Sequence, residues 1–255
     1  MADVVRPKTP EELAKMRRAG EIVAEALEAL RQAIAPGVTT AALDRLAETV
    51  IRDLGGIPSF KGYLGYPATI CASINEEVVH GIPGPRVLRE GDIVSVDVGA
   101  IWQGYQGDAA ITVAVGRVNG RLLDLMAATQ AALQAGIQAA RAGARLGDVS
   151  HAIEKAARKA GFEVIREYGG HGIGQKMHEP PRIRNWGPPH QGMRLEEGMT
   201  FALEPMLSLG GYTTKVLADG WTVVTVDGSP TAHFEHTVAV AANGAEILTR
   251  LNRPS

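Results

Sequence analysis

The chain is nearly without cysteine: Cys71 stands alone among 255 residues. A lone thiol excludes an internal disulfide framework and fits a reducing compartment. Charge of one sign is not in excess either. Lys and Arg number 26 against 28 Asp and Glu, a formal net charge of −2. That balance carries no nucleic-acid-binding signature and no footprint for an anionic membrane surface. Long apolar runs are missing too, since no segment approaches the ~20 residues that cross a bilayer. The start, Met1-Ala2-Asp3-Val4-Val5-Arg6-Pro7, lacks the apolar stretch of a secretory signal. What is present is core: 45% of residues are hydrophobic, enough to bury a large interior. The expectation is a cytoplasmic globular protein.

Two amphipathic helices open the chain. One starts near Thr9-Pro10-Glu11-Glu12, with proline and acids in its first turn, and stops at Pro36-Gly37. The other starts at Thr39 or Thr40 and ends at Gly55-Gly56. Strands are expected over residues 68–74, 92–101 and 107–115. Helices return at residues 121–142 and 148–160, followed by a glycine, proline and histidine-rich stretch. Strands close the chain near 200–207, 221–226 and 234–241. The order, two helices and then strands, occurs twice. Gly37, Glu48 and Gly55 align with Gly143, Glu154 and Gly161 at one constant displacement, and Glu90-Gly91 with Glu197-Gly198 one position further. These registers lay Asp97 on Glu204, and a longer one lays Asp108 on Glu235. The expectation is a single catalytic domain, 1–255, built from pseudo-repeat halves of about 10–116 and 120–250.

Chemistry concentrates where acids enter apolar strands. Alternation over Ile93 to Gly99 sets Ser95, Asp97 and Gly99 on one face, and Asp108, Ala110 and Thr112 share a face of the next strand. A tight hairpin centred on Trp102-Gln103 would set Asp97 directly opposite Asp108, with side-chain roots ~4.5–5.5 Å apart. Such a pair either flanks a solvated turn or needs a shared proton or a bound cation. Glu204 in Phe201-Ala202-Leu203-Glu204-Pro205 and Glu235 before His236-Thr237-Val238 are also expensive unless paired or ligating. His171 lies in Gly169-Gly170-His171-Gly172-Ile173-Gly174, where glycines allow close backbone approach. Four carboxylates and one imidazole carry about −4, which two divalent ions would cancel. An oxygen-rich set of this kind suits hard or borderline metals rather than a thiolate-type structural zinc. It is the composition of a hydrolase site.

From about Glu11 to Leu248 the chain resembles the type I methionine aminopeptidases. The likeness is carried by Ser73-Ile74-Asn75-Glu76, His80-Gly81-Ile82-Pro83, Asp97-Val98-Gly99, Gly107-Asp108, Gly170-His171-Gly172-Ile173-Gly174, His178-Glu179-Pro180-Pro181, Leu203-Glu204-Pro205 and Phe234-Glu235-His236-Thr237, all in order. The resemblance implies an α+β pita-bread fold, a curved antiparallel sheet backed by two pairs of helices with internal pseudo-two-fold symmetry. It implies two divalent metal ions (Co, Mn, Fe or Zn): Asp97 on one, Asp108 and Glu235 bridging both, His171 and Glu204 completing the other. A hydroxide between them attacks the scissile carbonyl, with Glu204 handling the proton, His80 contacting the amide nitrogen and His178 polarising the carbonyl oxygen.

Tyr63, Tyr66, Cys71 and Trp221 occupy the family's methionine-pocket positions, Phe60 is nearby, and Met177 stands where the family has phenylalanine. Asn75 and Thr231 match positions that hold a structural monovalent cation. The implied substrate is the N-terminus of a nascent polypeptide with a small second residue. The likeness suggests a monomer, and a nascent-chain substrate implies transient ribosome contact. Cys71 as a nucleophile is the rival chemistry, but it sits in an apolar strand with no obvious histidine base. Proline-directed relatives carry a sizeable domain ahead of the catalytic one, and type II enzymes insert a helical subdomain between the His171-like and Glu204-like ligands. The chain's own Met1-Ala2 is a sequence such an enzyme accepts, so its mature form is expected to begin at Ala2.

Overall fold

Thr9 begins the first helix through a capping box: its hydroxyl accepts from the Glu12 amide at 3.3 Å, and the Glu12 carboxylate accepts from the Thr9 amide at 2.7 Å. This computed structural model describes residues 5–251; the Met1-Ala2 junction lies outside the described residues. Helices α1 (Pro10–Ala33) and α2 (Thr40–Asp53) are followed by β1 (Ile57–Pro58), a 3-10 turn (Tyr63–Gly65), β2 (Ile70–Ile74), β3 (Glu77–Val79), β4 (Ile93–Trp102) and β5 (Tyr105–Ala114). Then come α3 (Gly120–Ala139), α4 (Leu146–Lys159), β6 (Glu163–Val164), β7 (His171–Gly172), β8 (Glu179–Arg182), β9 (Thr200–Leu203) and β10 (Met206–Ser208). The last strands are β11 (Thr214–Val216), β12 (Val223–Thr225), β13 (Thr231–His233), β14 (His236–Ala241) and β15 (Gly244–Ile247).

The strands pair antiparallel throughout. One sheet runs β1-β4-β2 with β5 on β4, and the largest runs β15-β14-β9-β7-β8. Short sheets β13-β10-β6 and β11-β12-β3 complete the curve. Each half has its own aliphatic core. Ile22, Leu30, Leu43 and Ile51 of α1 and α2 pack on Val94, Val96 and Val98. Leu125, Leu133, Val149 and Ile153 of α3 and α4 pack on Phe201, Leu203 and Val238.

Matched glycines of the two halves do the same work. Gly37 and Gly143 turn the chain just after their helices, at φ 92° and 83°, and each donates its amide to a leucine carbonyl, Leu88 or Leu195, at 2.9 Å. Gly91 and Gly198, at φ 93° and 82°, donate to Val115 and Val240, each at 3.0 Å. Only glycine adopts this left-handed conformation without strain, which is why the periodicity survives in the sequence.

Two sequence expectations are corrected. The β4–β5 hairpin pairs Trp102 with Tyr105, so the turn is Gln103-Gly104, and Asp97 lies opposite Ala110 while Gly99 lies opposite Asp108. The two-residue turn has Gln103 at φ 48° and Gly104 at φ 79°, the double left-handed geometry that matches strand twist. The aspartates thus share a face as diagonal neighbours, not as a facing pair. Second, the strand expected at 200–207 is interrupted, and the one expected at 234–241 begins only at His236. β9 gives way to β10 at Glu204-Pro205, and β13 to β14 at Phe234-Glu235. The prolyl nitrogen at 205 cannot donate to a ladder, and both breaks release a glutamate from the pleat.

Candidate active site

The halves meet along a seam where β5 faces the 233–237 segment. Thr237 grips Asp108 with one hydroxyl, accepting from its amide at 2.9 Å and donating to its carbonyl at 2.8 Å. Thr112 grips His233 in the same way, at 2.8 Å and 2.8 Å. Between them the Glu235 amide donates to the Ala110 carbonyl at 2.9 Å. Asp108 and Glu235 are therefore fixed to one another by backbone, whatever their charges prefer.

Around that seam the structure gathers all five predicted ligand side chains. Asp108, His171 and Glu235 have ligand atoms within 4.8 Å of one another. His171 Nε2 lies 3.9 Å from Asp108 Oδ2 and 3.7 Å from Glu204 Oε1, and Asp97 abuts Asp108. Burial pushes Asp97 up to about 7 and Glu204 to about 8, and holds Asp108 and Glu235 well above the carboxylate range; mutual repulsion adds to the last three. Such a cluster needs positive charge or protons. Cations fit the donor set better than protons alone. Asp97 Oδ1, Asp108 Oδ1 and Glu235 Oε1 are buried without a hydrogen-bond partner, and a proton shared between Asp97 and Asp108 leaves those three oxygens unengaged. His171 Nδ1 contacts the Gly172 carbonyl at 2.9 Å. A carbonyl only accepts, so the proton is on Nδ1 and the Nε2 lone pair points at the acids, the tautomer of a metal ligand.

Above the acids lies a cavity of about 180 Å³ lined by Phe60, Tyr63, Leu64, Tyr66, Cys71, Met177 and Trp221, with His80 and His178 at its rim. Every predicted pocket residue is on this wall. Gly99 keeps it open: a Cβ there would come within 2.7 Å of Phe60 and 3.0 Å of Met177. Burial pushes the Cys71 thiol well above its ordinary value, which removes it as a nucleophile. His80, at φ 61°, sits in strained backbone just after β3, and burial pushes its imidazole down to about 4. Burial also lowers His178. Both are neutral near pH 7. Asn75 and Thr231 meet as expected from their motif, with the Thr231 hydroxyl donating to the Glu77 carbonyl at 3.0 Å and near that of Asn75 at 3.4 Å.

Several contributors were not legible in the sequence. The Tyr63 hydroxyl lies 2.9 Å from His178 Nδ1, and the rings stack at 5.5 Å; 115 positions separate the two. Asn185 donates to the Glu204 carbonyl at 3.0 Å and fixes the strand break. His233 is buried 3.7 Å from Glu235. Its alternation with Glu235 along one segment was the available signal, and it went unused.

The family model described as metallopeptidase family M24 matches residues 14–242. Methionine aminopeptidase 1 of Bacillus subtilis is 52% identical over 244 residues, covering 96% of this chain and 98% of that one. The crystal structure of a methionine aminopeptidase from Thermotoga maritima superposes with a TM-score of 0.95 at 50% identity, covering 97% and 100%. A prolidase from Pyrococcus furiosus, at 23% identity and a TM-score of 0.77, shares the fold; 97% of this chain matches 66% of that one.

Proposed function

The chain belongs to metallopeptidase family M24, among its methionine aminopeptidases, and we infer from this and from the cavity that it removes the first methionine of polypeptides whose second residue is small. The observation that carries the reading is a single one. Five ligand-type side chains from both halves converge beneath a pocket walled by apolar and aromatic side chains. One catalytic domain built from two related halves is the economical description, since neither half alone completes the site.

Asp97, Asp108, His171, Glu204 and Glu235 would hold two divalent ions from among Co, Mn, Fe and Zn, with Asp108 and Glu235 shared between them. Bound there, the ions supply Lewis acidity and a water ionised near neutral pH. The rest is done by the chain. The pocket takes the unbranched thioether through polarizable and aromatic contacts, with Met177 and Cys71 adding sulfur. Tyr63, donating to Nδ1, leaves the His178 proton on Nε2, where it can be given to the scissile carbonyl oxygen as charge develops. His80 stands on the other side of the rim and is placed to contact the amide nitrogen. Glu204 in its ionised form, the form a neutralised cluster favours, accepts a proton at its carboxylate from the attacking water and passes it to the leaving amine. Tyr168, edge-on to His80 at 6.0 Å, lines the space beyond it, where the second residue would lie.

The oxygens of Asn75, Glu77 and Thr231 would take a structural monovalent cation. Among the described residues no helix is long and apolar enough to cross a membrane. The proposal places the enzyme in the cytoplasm as a monomer, acting on nascent chains in transient contact with the ribosome. The test is release of residues from a Met-Ala-Ser peptide and an Ala-Pro peptide, with and without added Mn, Co, Fe or Zn. Methionine release that requires metal is expected. Cleavage of the Ala-Pro peptide alone, or metal-independent release, would overturn the reading.

A further inference from the structure

The catalytic cavity opens into a vestibule of about 600 Å³ whose walls include Glu167, Glu179, Arg182 and Glu204. Arg182 also lines the next hollow outward, about 350 Å³, together with Arg184 and Trp186. The two adjoin at Arg182; taken together as one groove, their charged lining passes from glutamates to arginines. The inner part is acidic and the outer part basic.

Alternation sorts the segment Arg182-Ile183-Arg184-Asn185-Trp186. Ile183 and Asn185 are buried, whereas Arg182 and Arg184 are exposed. Trp186 is pinned by its indole N–H, which donates to the Arg166 carbonyl at 3.2 Å. Its ring has the Arg184 guanidinium 5.2 Å from its centre and that of Arg166 at 5.5 Å, and Arg166 also lies 4.2 Å from the Tyr212 ring. Stacking holds guanidinium planes and leaves their N–H edges for a carboxylate. Other arginines, such as Arg17 and Arg158, are paired with glutamates. None of Arg166, Arg182 and Arg184 takes part in an ion pair among the described residues. Arg182 donates to the Glu167 carbonyl and acts on Glu204, so the like charges that a ligand would compensate are those of Arg184 and, beside it on Trp186, Arg166. Backbone pairing is a poor alternative means of holding a ligand here. β8 is the outermost strand of its sheet, but Pro180 and Pro181 offer no N–H.

We propose that Arg166, Arg182 and Arg184 form an extended subsite that takes acidic side chains of the substrate's own polypeptide chain. The inference rests on the aminopeptidase reading and adds a specificity to it. A vestibule of this size accommodates a few residues, so the subsite begins at about the fourth residue of the substrate. The occupant follows from continuity and charge: a chain held by its first residue must leave along this groove. The favoured substrate has its cationic amine at the acidic end and carboxylates at the basic end.

The test compares kcat/KM for Met-Ala-Ser-Gly-X-X-Gly with X as Asp, Ser or Lys, using the tripeptide Met-Ala-Ser as control. The Asp peptide is expected to exceed the Lys peptide by about 5- to 20-fold at low salt, through KM, falling towards parity at about 0.5 M salt. Arg166→Ala with Arg184→Ala should abolish the preference, and Arg184→Glu should turn it towards Lys, with tripeptide turnover unchanged. Equal rates for the three peptides in the unmodified enzyme, or a preference that survives both variants, would overturn the subsite. Failure to cleave the tripeptide would instead strike the aminopeptidase reading itself.

Discussion

The two halves place their acids by different means. In the first half Asp97 and Asp108 ride on the uninterrupted ladder of β4 and β5, so register sets the face and spacing they share. In the second half Glu204 and Glu235 stand at breaks, where β9 yields to β10 and β13 to β14. Continuous strands fix a side chain by periodicity, while a break must be propped from outside, by Asn185 for Glu204 and by Ala110 for Glu235. An acid on a ladder should therefore tolerate substitution of its neighbours better than an acid at a break.

The largest effect expected is on activity. Asp108→Asn and Glu204→Gln should each lower kcat/KM by about a thousandfold or more. Their metal-free melting temperatures should not fall, since each removes a buried acid that lacks compensation. Turnover near the unmodified level in Asp108→Asn would refute its shared position between the ions. Next comes the seam. Thr237→Val leaves the Asp108 amide and carbonyl unpaired, at a cost of about 2 kcal/mol in denaturant unfolding and about 10- to 100-fold in kcat/KM. Thr237→Ser should restore most of both, and an inert Thr237→Val would mean the halves are aligned by packing alone.

The pH dependence sharpens the comparison through the metal. Folded Asp97 and Glu204 titrate at about 7 and about 8, above the unfolded chain's carboxylates at roughly 4. Their contribution to metal-free stability is full below about pH 4 and is lost as pH rises through about 7 and 8. His80 and His171, lowered to about 4 by burial, act the other way and withdraw stability as pH falls from about 6.5. Cations bind the ionised acids, so added Mn should raise the melting temperature more at pH 8.5 than at pH 6.5. Equal gains at the two values would show that the acids are already ionised without metal. The smallest effect belongs to the pocket. Met177→Phe swaps one apolar wall for another and should change kcat/KM by less than about fivefold.

How much was legible follows from which signals are periodic. The helix caps, Gly37, Gly91, Gly143 and Gly198 could be read because left-handed backbone leaves few residue choices. The ligand-type residues could be picked out because a carboxylate in an apolar strand is costly and rarely accidental, and their order matched a known motif set. The hairpin was misread by two positions, because Trp102-Gln103-Gly104-Tyr105 permits more than one turn and only the twist of the paired strands selects among them.

The sequence by itself determined local conformation, the apolar faces and the identity of the acids, since each depends on residue type and short-range spacing. Tertiary structure alone decided which atoms meet. The Thr237 grip on Asp108, the Tyr63 contact with His178 Nδ1 and the arginines stacked about Trp186 all join residues far apart in the chain or set by side-chain orientation. Such contacts exist only after two sheets have packed, and no pattern along the chain encodes their distances.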